Sequence, residues 1–156
     1  QAASHGSRYL EPRQSFVDKL NASPATTWLA CRGQEPLAYL FALPIDDSRI
    51  PTLHQTGWTP PPHPRWLYLH DLAVLPGAQG GGTGKRLVAQ AFLHARRHGL
   101  HGLALVAIPG ASGYWCRQGF SVRHINGSNL RSQVTSYGRD AMLMFAECPA
   151  EESPVS

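Results

Sequence analysis

The residues with the clearest chemical meaning are Gln79, Gly80, Gly81, Gly82, Thr83, Gly84 and Lys85. They form a glycine-rich turn between an apolar stretch ending at Leu75-Pro76 and an amphipathic one starting at Gly84. Glycines let a backbone come close to a ligand and adopt positive φ, and a helix start offers unpaired N–H groups at the positive end of its dipole. Such a turn is an anion cradle able to hold a phosphate or pyrophosphate; with no ligand it is only a flexible connection. Two nucleotide motifs can be tested against it. A P-loop needs a glycine five residues before the Gly-Lys pair and a hydroxyl residue after it, but Gln79 and Arg86 stand there, so Mg²⁺ would lack its ligand. The dinucleotide pattern GxGxxG, started at Gly80, puts Lys85 where its last glycine belongs. Neither a nucleoside triphosphate nor NAD is indicated.

A cradle of this kind must be held by a strand before it and a helix after it. Trp66 to Leu75 (WLYLHDLAVL) is apolar and aromatic and reads as a central strand closed by Pro76. Gly84 to His98 carries Leu87, Val88, Ala91, Phe92 and Ala95 on one helical face and stops at Gly99. Around this unit, Pro12 to Asn21 reads as a helix, and Thr26–Cys31 with Leu37–Leu43 as a hairpin. Further strands are expected at Leu103–Ile108, Phe120–His124 and Ala141–Cys148, and a short helix at Ser112–Gln118. Residues 44–65 hold Pro44, Pro51, Pro60, Pro61, Pro62 and Pro64 and read as a long loop, either a functional lid or disordered, stiffened but not buried. Residues 1–7 and 149–156 are expected to be mobile.

At 156 residues the chain has the length of one domain, 1–156, and should bury roughly 70% of its unfolded surface without disulfide or metal staples. Cys31, Cys116 and Cys148 are odd in number and widely spaced, which suits a reducing compartment; all three are expected to be structural, Cys31 and Cys148 inside apolar strands. His94 and His98 share a helical face with His101 nearby, but no glutamate follows His94 as a zinc HExxH motif requires, so no metal is expected. Charged residues make up 15% and the net charge is +4, with no basic run of the kind nucleic-acid arms carry. No apolar run reaches the roughly 18 residues of a membrane span. The expectation is a soluble cytoplasmic protein, monomer or homodimer, with no nucleic acid and no membrane among its partners.

Two elements together resemble the GCN5-related N-acetyltransferases (GNAT). One is Leu72-Ala73-Val74 followed by Gln79-x-x-Gly82-x-Gly84, similar to the family's coenzyme A motif. The other is an aromatic residue ahead of Gly-Phe, present as Trp115 to Gly119-Phe120. The resemblance runs from roughly Leu10 to Cys148. It implies an α/β fold of the α+β kind, with a mixed, largely antiparallel central sheet flanked by helices and a splayed parallel strand pair forming the acetyl-CoA slot. It also implies that the family's first strand is missing ahead of Gln1. Acetyl-CoA would be the co-substrate and no metal would be needed. Backbone atoms of Leu72, Ala73 and Val74 would hold the thioester and pantetheine; Gln79, Gly80, Gly81, Gly82, Thr83, Gly84 and Lys85 would hold the pyrophosphate; Trp115 would pack near the thioester.

Acetylating an amine requires a base for the ammonium and a proton for the leaving thiolate. The strand Tyr68-Leu69-His70-Asp71-Leu72-Ala73-Val74 resembles that of arylalkylamine acetyltransferases and keeps a histidine, His70, at a proton-accepting position. Free histidine titrates at about 6.5, which suits the task. Strand alternation puts Tyr68, His70 and Leu72 on one face and Leu69 and Asp71 on the other, unless a bulge resets the phase. The family's usual acid is a tyrosine where this chain has Trp115, whose indole cannot donate a proton at neutral pH. Tyr114, one residue earlier and about 100° around the helix, is the candidate acid, with water as the default proton source. The family's asparagine ahead of the short helix is Ile108 here. Glu11, Tyr68 and His70 are the candidate acceptor-binding residues, with Asp46, Asp47, Trp58 and Trp66 as further contributors. The resemblance implies transfer of the acetyl group to a primary amine of a small molecule by direct attack in a ternary complex. Alternatives are a peptide N-terminus or lysine as acceptor, and a non-catalytic acyl-CoA-binding domain.

Overall fold

An amphipathic helix that follows a strand can bury its apolar stripe only by lying back across the sheet to which that strand belongs. The computed structural model, which describes residues 21, 23–53, 55 and 57–149, has this arrangement. Six strands, β1 (Thr27–Arg32), β2 (Glu35–Ile45), β3 (Trp66–Val74), β4 (Gly102–Ala107), β5 (Ser121–Val122) and β6 (Met142–Glu147), form one sheet in the order β1-β2-β3-β4-β6-β5. All neighbours run antiparallel except β3 and β4. Among the described residues three helices lie wholly within view, α1 (Thr83–Arg97), α2 (Ser112–Arg117) and α3 (Ser128–Thr135). The mixed, mostly antiparallel sheet with its single parallel pair is the expected architecture.

Two apolar layers sandwich this sheet. On one face Leu87, Val88, Ala91 and Ala95 of α1 pack on Leu40, Leu67, Leu69, Leu103 and Met144. The other face carries Phe41, Leu43, Trp66, Tyr68 and Phe145, covered by Ile50, Trp58, Val134 and Tyr137. The proline-rich stretch therefore differs from the expected unburied loop. Trp58 is only 4% exposed, Arg49 lies 4.3 Å from the centre of its ring, and the loop is fastened to α3. Gln133 Oε1 accepts from Ile50 N at 3.0 Å, and Ser136 Oγ accepts from Leu53 N at 3.1 Å. The apolar face away from α1 needs a cover, and this loop with α3 contributes it.

Other differences have local causes. α3 stands where no element is expected, because its sequence is polar and Val134 is its one buried residue. The strand expected at Phe120–His124 shortens to two residues paired with Phe145 and Met144. Cys31 is exposed rather than inside an apolar strand: β1 is the outermost strand among the described residues, and its register shifts between Ala30 and Cys31. Cys116 is exposed and Cys148 half-buried just beyond β6. Of the helix expected over Pro12–Asn21 only Asn21 is described; the rest, with the expected missing strand ahead of it, lies outside the described residues. No helix among the described residues is long and apolar enough to cross a membrane.

At Gly102 the close approach of two backbones requires the absence of a side chain. A Cβ there would fall on the carbonyl oxygen of Ala146 and come within 2.8 Å of Glu147 Cα, both backbone atoms of the paired β6. Gly102→Ala should therefore cost about 1–3 kcal/mol, the range of an overpacked site that must shift its backbone. Urea denaturation read by circular dichroism measures this; an unchanged midpoint would contradict the register of β4 on β6.

Candidate active site

Parallel pairing of β3 with β4 covers only Trp66–Gly102, Leu67–Leu103 and Tyr68–Ala104. Beyond those residues the strands part, while β4 stays paired with β6 along its whole length. A cleft of about 400 Å³ opens in the gap, within the range of small-molecule sites. Leu69, His70, Asp71, Leu72 and Val74 line it from β3, and Leu105, Val106 and Ile108 from the β4 side. Tyr114 and Trp115 of α2 close one wall, and Gln79 and Gly80 stand at its mouth.

The strands part where β3 changes phase. Phe41 pairs with Asp71 and Ala42 with Leu69, so His70 is one residue more than β2 can match, a β-bulge. Leu67 and Leu69 before the bulge and Leu72 and Val74 after it therefore pack on the same α1 side. This corrects the simple alternation: Tyr68 and Leu72 lie on opposite faces. His70 is turned toward the covered face, where its ring lies edge-on to Phe41 at 6.1 Å and to Tyr137 at 6.0 Å, and 5.7 Å from Tyr68. Its Nδ1 is 3.1 Å from the Tyr137 hydroxyl, which donates to the Pro51 carbonyl at 2.6 Å. Next to it Asp71 accepts a 2.6 Å hydrogen bond from Tyr39.

At the cleft mouth the glycine turn presents open backbone. Gly80 and Gly82 have φ of +85° and +79°, and nothing stands within 4 Å of a Cβ built at either. Gly82 caps α1 in the left-handed conformation, leaving the first-turn N–H groups of Thr83, Gly84 and Lys85 without intrahelical partners. Gln79 braces the turn by donating to the Val74 carbonyl at 3.2 Å, and Arg86 by donating to Gly81 O at 3.3 Å. Behind the turn Arg32 and Arg86 flank a second, polar hollow with Gly81 and Thr83. Neither arginine is singled out by the sequence pattern, since they are 54 residues apart and meet only through the fold of β1 onto the turn.

Tyr114 and Trp115 both face the cleft, their rings edge-on at 4.9 Å, and Trp115 is also edge-on to Phe120 at 5.4 Å. The Tyr114 hydroxyl reaches the start of α1, 3.5 Å from where a Gly84 Cβ would be. Burial pushes its pKa above the ordinary tyrosine value, against the opposing effect of Arg117. It therefore keeps its proton at neutral pH and is a weaker acid than a free tyrosine.

Several expected site residues lie elsewhere. Ala73 is buried and does not line the cleft, and Tyr68 is 1% exposed, beneath His70 rather than on the cleft surface. Asp47 accepts from the Trp66 indole at 2.8 Å and pairs with Arg65 at 3.3 Å, at the far end of β3. Asp46 is occupied by Ser48, whose hydrogen bonds hold its carboxyl below the usual range. Trp58 and Trp66 are core residues of the covered face. Glu11 lies outside the described residues. His94 and His98 stack at 4.1 Å, with the His94 pKa lowered by burial and then by His98, whereas His101 lies against Trp66. The described residues contain no group of three His, Cys, Asp or Glu able to hold a metal ion.

Tyr137 and Pro51 are the site neighbours that the sequence reading missed. Leu130, Val134 and Tyr137, at helical spacing after Gly127, are the signal that could have revealed α3 and the tyrosine at its end.

Comparison with known proteins follows the same lines. A sequence model of the acetyltransferase (GNAT) family matches residues 2–120. Among solved structures, the chain is similar to Ard1 from Thermoplasma volcanium, with TM-score 0.62 and 11% identity over 86% of this chain and 78% of that one. It is similar to the ribosomal-protein-S18-alanine N-acetyltransferase from Escherichia coli, with TM-score 0.54 and 14% identity over 83% and 73%. It is also similar to the GNAT-like decarboxylase GphF in complex with isobutyryl-CoA, with TM-score 0.63 and 14% identity over 88% and 86%. Comparison with curated proteins finds no match.

Proposed function

This chain belongs to the GNAT acetyltransferase family, and from that premise we propose that it transfers the acetyl group of acetyl-CoA to the primary amine of a small molecule, by direct attack in a ternary complex. The observation that carries the reading is the parting of β3 from β4 after Tyr68, directly beside the positive-φ glycine turn. A sheet opened there leaves backbone groups free to pair with an extended amide-bearing arm. The cradle at its end suits a pyrophosphate, and the open space in front of Gly80 and Gly82 lets the anion reach the N–H groups. Leu72 and Val74 would hold the pantetheine amides and the turn Gln79 to Lys85 the pyrophosphate. Arg32 and Arg86 would supply the neutralising charge.

Acetyl-CoA brings an activated thioester carbonyl; the chain supplies position and proton transfer. His70 takes a proton from the acceptor's ammonium, directly or through water, and the neutral amine then attacks the carbonyl, the C–N bond forming as the C–S bond breaks. Tyr114 returns a proton to the departing sulfur. Trp115 fills the wall where the family carries its tyrosine. The acceptor approaches from the His70 side, where α3 and the loop that carries Pro51 cover the sheet. A peptide N-terminus or lysine is the second reading, because the chain shares its fold with an enzyme named for acetylating a ribosomal protein.

Thiol release from acetyl-CoA, measured in steady state with small primary amines and short peptides, tests both. Turnover with small amines, and peptides at least about tenfold poorer in kcat/KM, is expected. The reverse order would move the acceptor to peptides. Saturable cofactor binding without turnover on any amine would leave a non-catalytic acyl-CoA-binding domain.

A further inference from the structure

We propose that Tyr137 is a positioning residue that fixes the tautomer of His70, holding the proton on Nδ1 so that Nε2 carries the lone pair that receives the acceptor's proton. The inference rests on the reading of His70 as base and adds what makes it one. A tyrosine hydroxyl has a single proton. The Pro51 carbonyl, 2.6 Å away, can only accept, so that proton points at Pro51. Toward His70 Nδ1, 3.1 Å distant, the same oxygen can then only accept, and Nδ1 must be the donor. A neutral imidazole that donates through Nδ1 has its basic lone pair on Nε2. The bond also survives proton uptake, since both ring nitrogens of the imidazolium donate, so Tyr137 stabilises the charged ring as it forms.

The arrangement is held from several sides. Tyr137 is 4% exposed and follows α3, the helix to which the loop is fastened through Gln133 and Ser136. The bulge in β3 turns His70 toward it. The proline-rich loop thus acts on the chemistry through one carbonyl, that of Pro51.

The test is the ring-nitrogen NMR spectrum of ¹⁵N-histidine-labelled protein at a pH where the ring is neutral, wild type against Tyr137→Phe, with His70→Gln to assign the signals. The expected wild-type spectrum shows a protonated Nδ1 and an unprotonated Nε2, and Tyr137→Phe shifts the proton toward Nε2. Acetyl transfer by Tyr137→Phe should fall in kcat by at least about tenfold, as for other mispositioned catalytic imidazoles, with KM for acetyl-CoA unchanged. A wild-type ring protonated on Nε2, or a tautomer unaltered in Tyr137→Phe, overturns the proposal. If the tautomer shifts and kcat does not fall, the assignment of His70 as base is what fails. Should Tyr137→Phe not fold, the wild-type spectrum alone decides between the two tautomers.

Discussion

Replacing His70 lowers kcat by about 10²- to 10⁴-fold, the usual worth of a positioned general base, and leaves acetyl-CoA affinity within about twofold. The two effects separate because His70 sits on the covered side of the β3 bulge, whereas the residues proposed to hold the cofactor lie beyond the bulge and in the glycine turn. His70→Ala also removes a ring that packs on Phe41, Tyr68 and Tyr137, so it should lose some stability. His70→Gln is the better variant. It keeps much of the volume and a donor toward Tyr137 but has no group that takes up a proton near neutral pH. Parallel measurement of thiol release and of cofactor binding for both variants gives the split. Turnover unchanged in His70→Gln would remove the residue from the mechanism.

The second large effect is expected at the cradle. Gly82 has φ +79° at the first cap of α1, and a non-glycine residue held there costs about 1–2 kcal/mol. Gly82→Val would in addition put its side chain in the open space in front of the turn. Losing one charge-assisted contact costs about 1.5–3 kcal/mol, so affinity for acetyl-CoA should fall at least about tenfold. Strain alone must be told apart from loss of the cradle, and the other end of the same helix provides the control. Gly99 has φ +70° and, like Gly82, nothing within 4 Å of a built Cβ. Gly99→Val should lower the melting temperature comparably and leave affinity unchanged. Equal loss of affinity in the two variants would mean that the effect is global and the cradle assignment wrong.

What was legible in the sequence was what local patterns encode. The strand from Trp66, the glycine turn and the stripe Leu87-Val88-Ala91-Ala95 each carry their own signal within a few residues, and β3, the turn and α1 follow it. The parts that were not legible depend on contacts far apart in the chain. A bulge at His70 is set by the register of β2 against β3, and nothing in Tyr68-Leu69-His70-Asp71-Leu72 announces it. Trp58 reads as exposed inside a proline-rich run, and only the need to cover the Phe41-Tyr68-Phe145 face buries it. Asp46 and Asp47 look like free acidic groups for a cationic acceptor until Ser48, Arg65 and Trp66 are seen to occupy them. The His70–Tyr137–Pro51 relay joins three segments, and its tyrosine sits just beyond a helix too polar to stand out.

Calorimetric titration of the purified chain with acetyl-CoA, with adenosine diphosphate and NAD as controls, tests the central claim most directly. The open β3–β4 pair and the glycine cradle predict saturable one-to-one binding of acetyl-CoA that is weakened at least about tenfold in Gly82→Val and kept in Gly99→Val, with ADP much weaker and NAD not bound. No binding of acetyl-CoA, or equal binding of all three ligands, would contradict the assignment of the cleft.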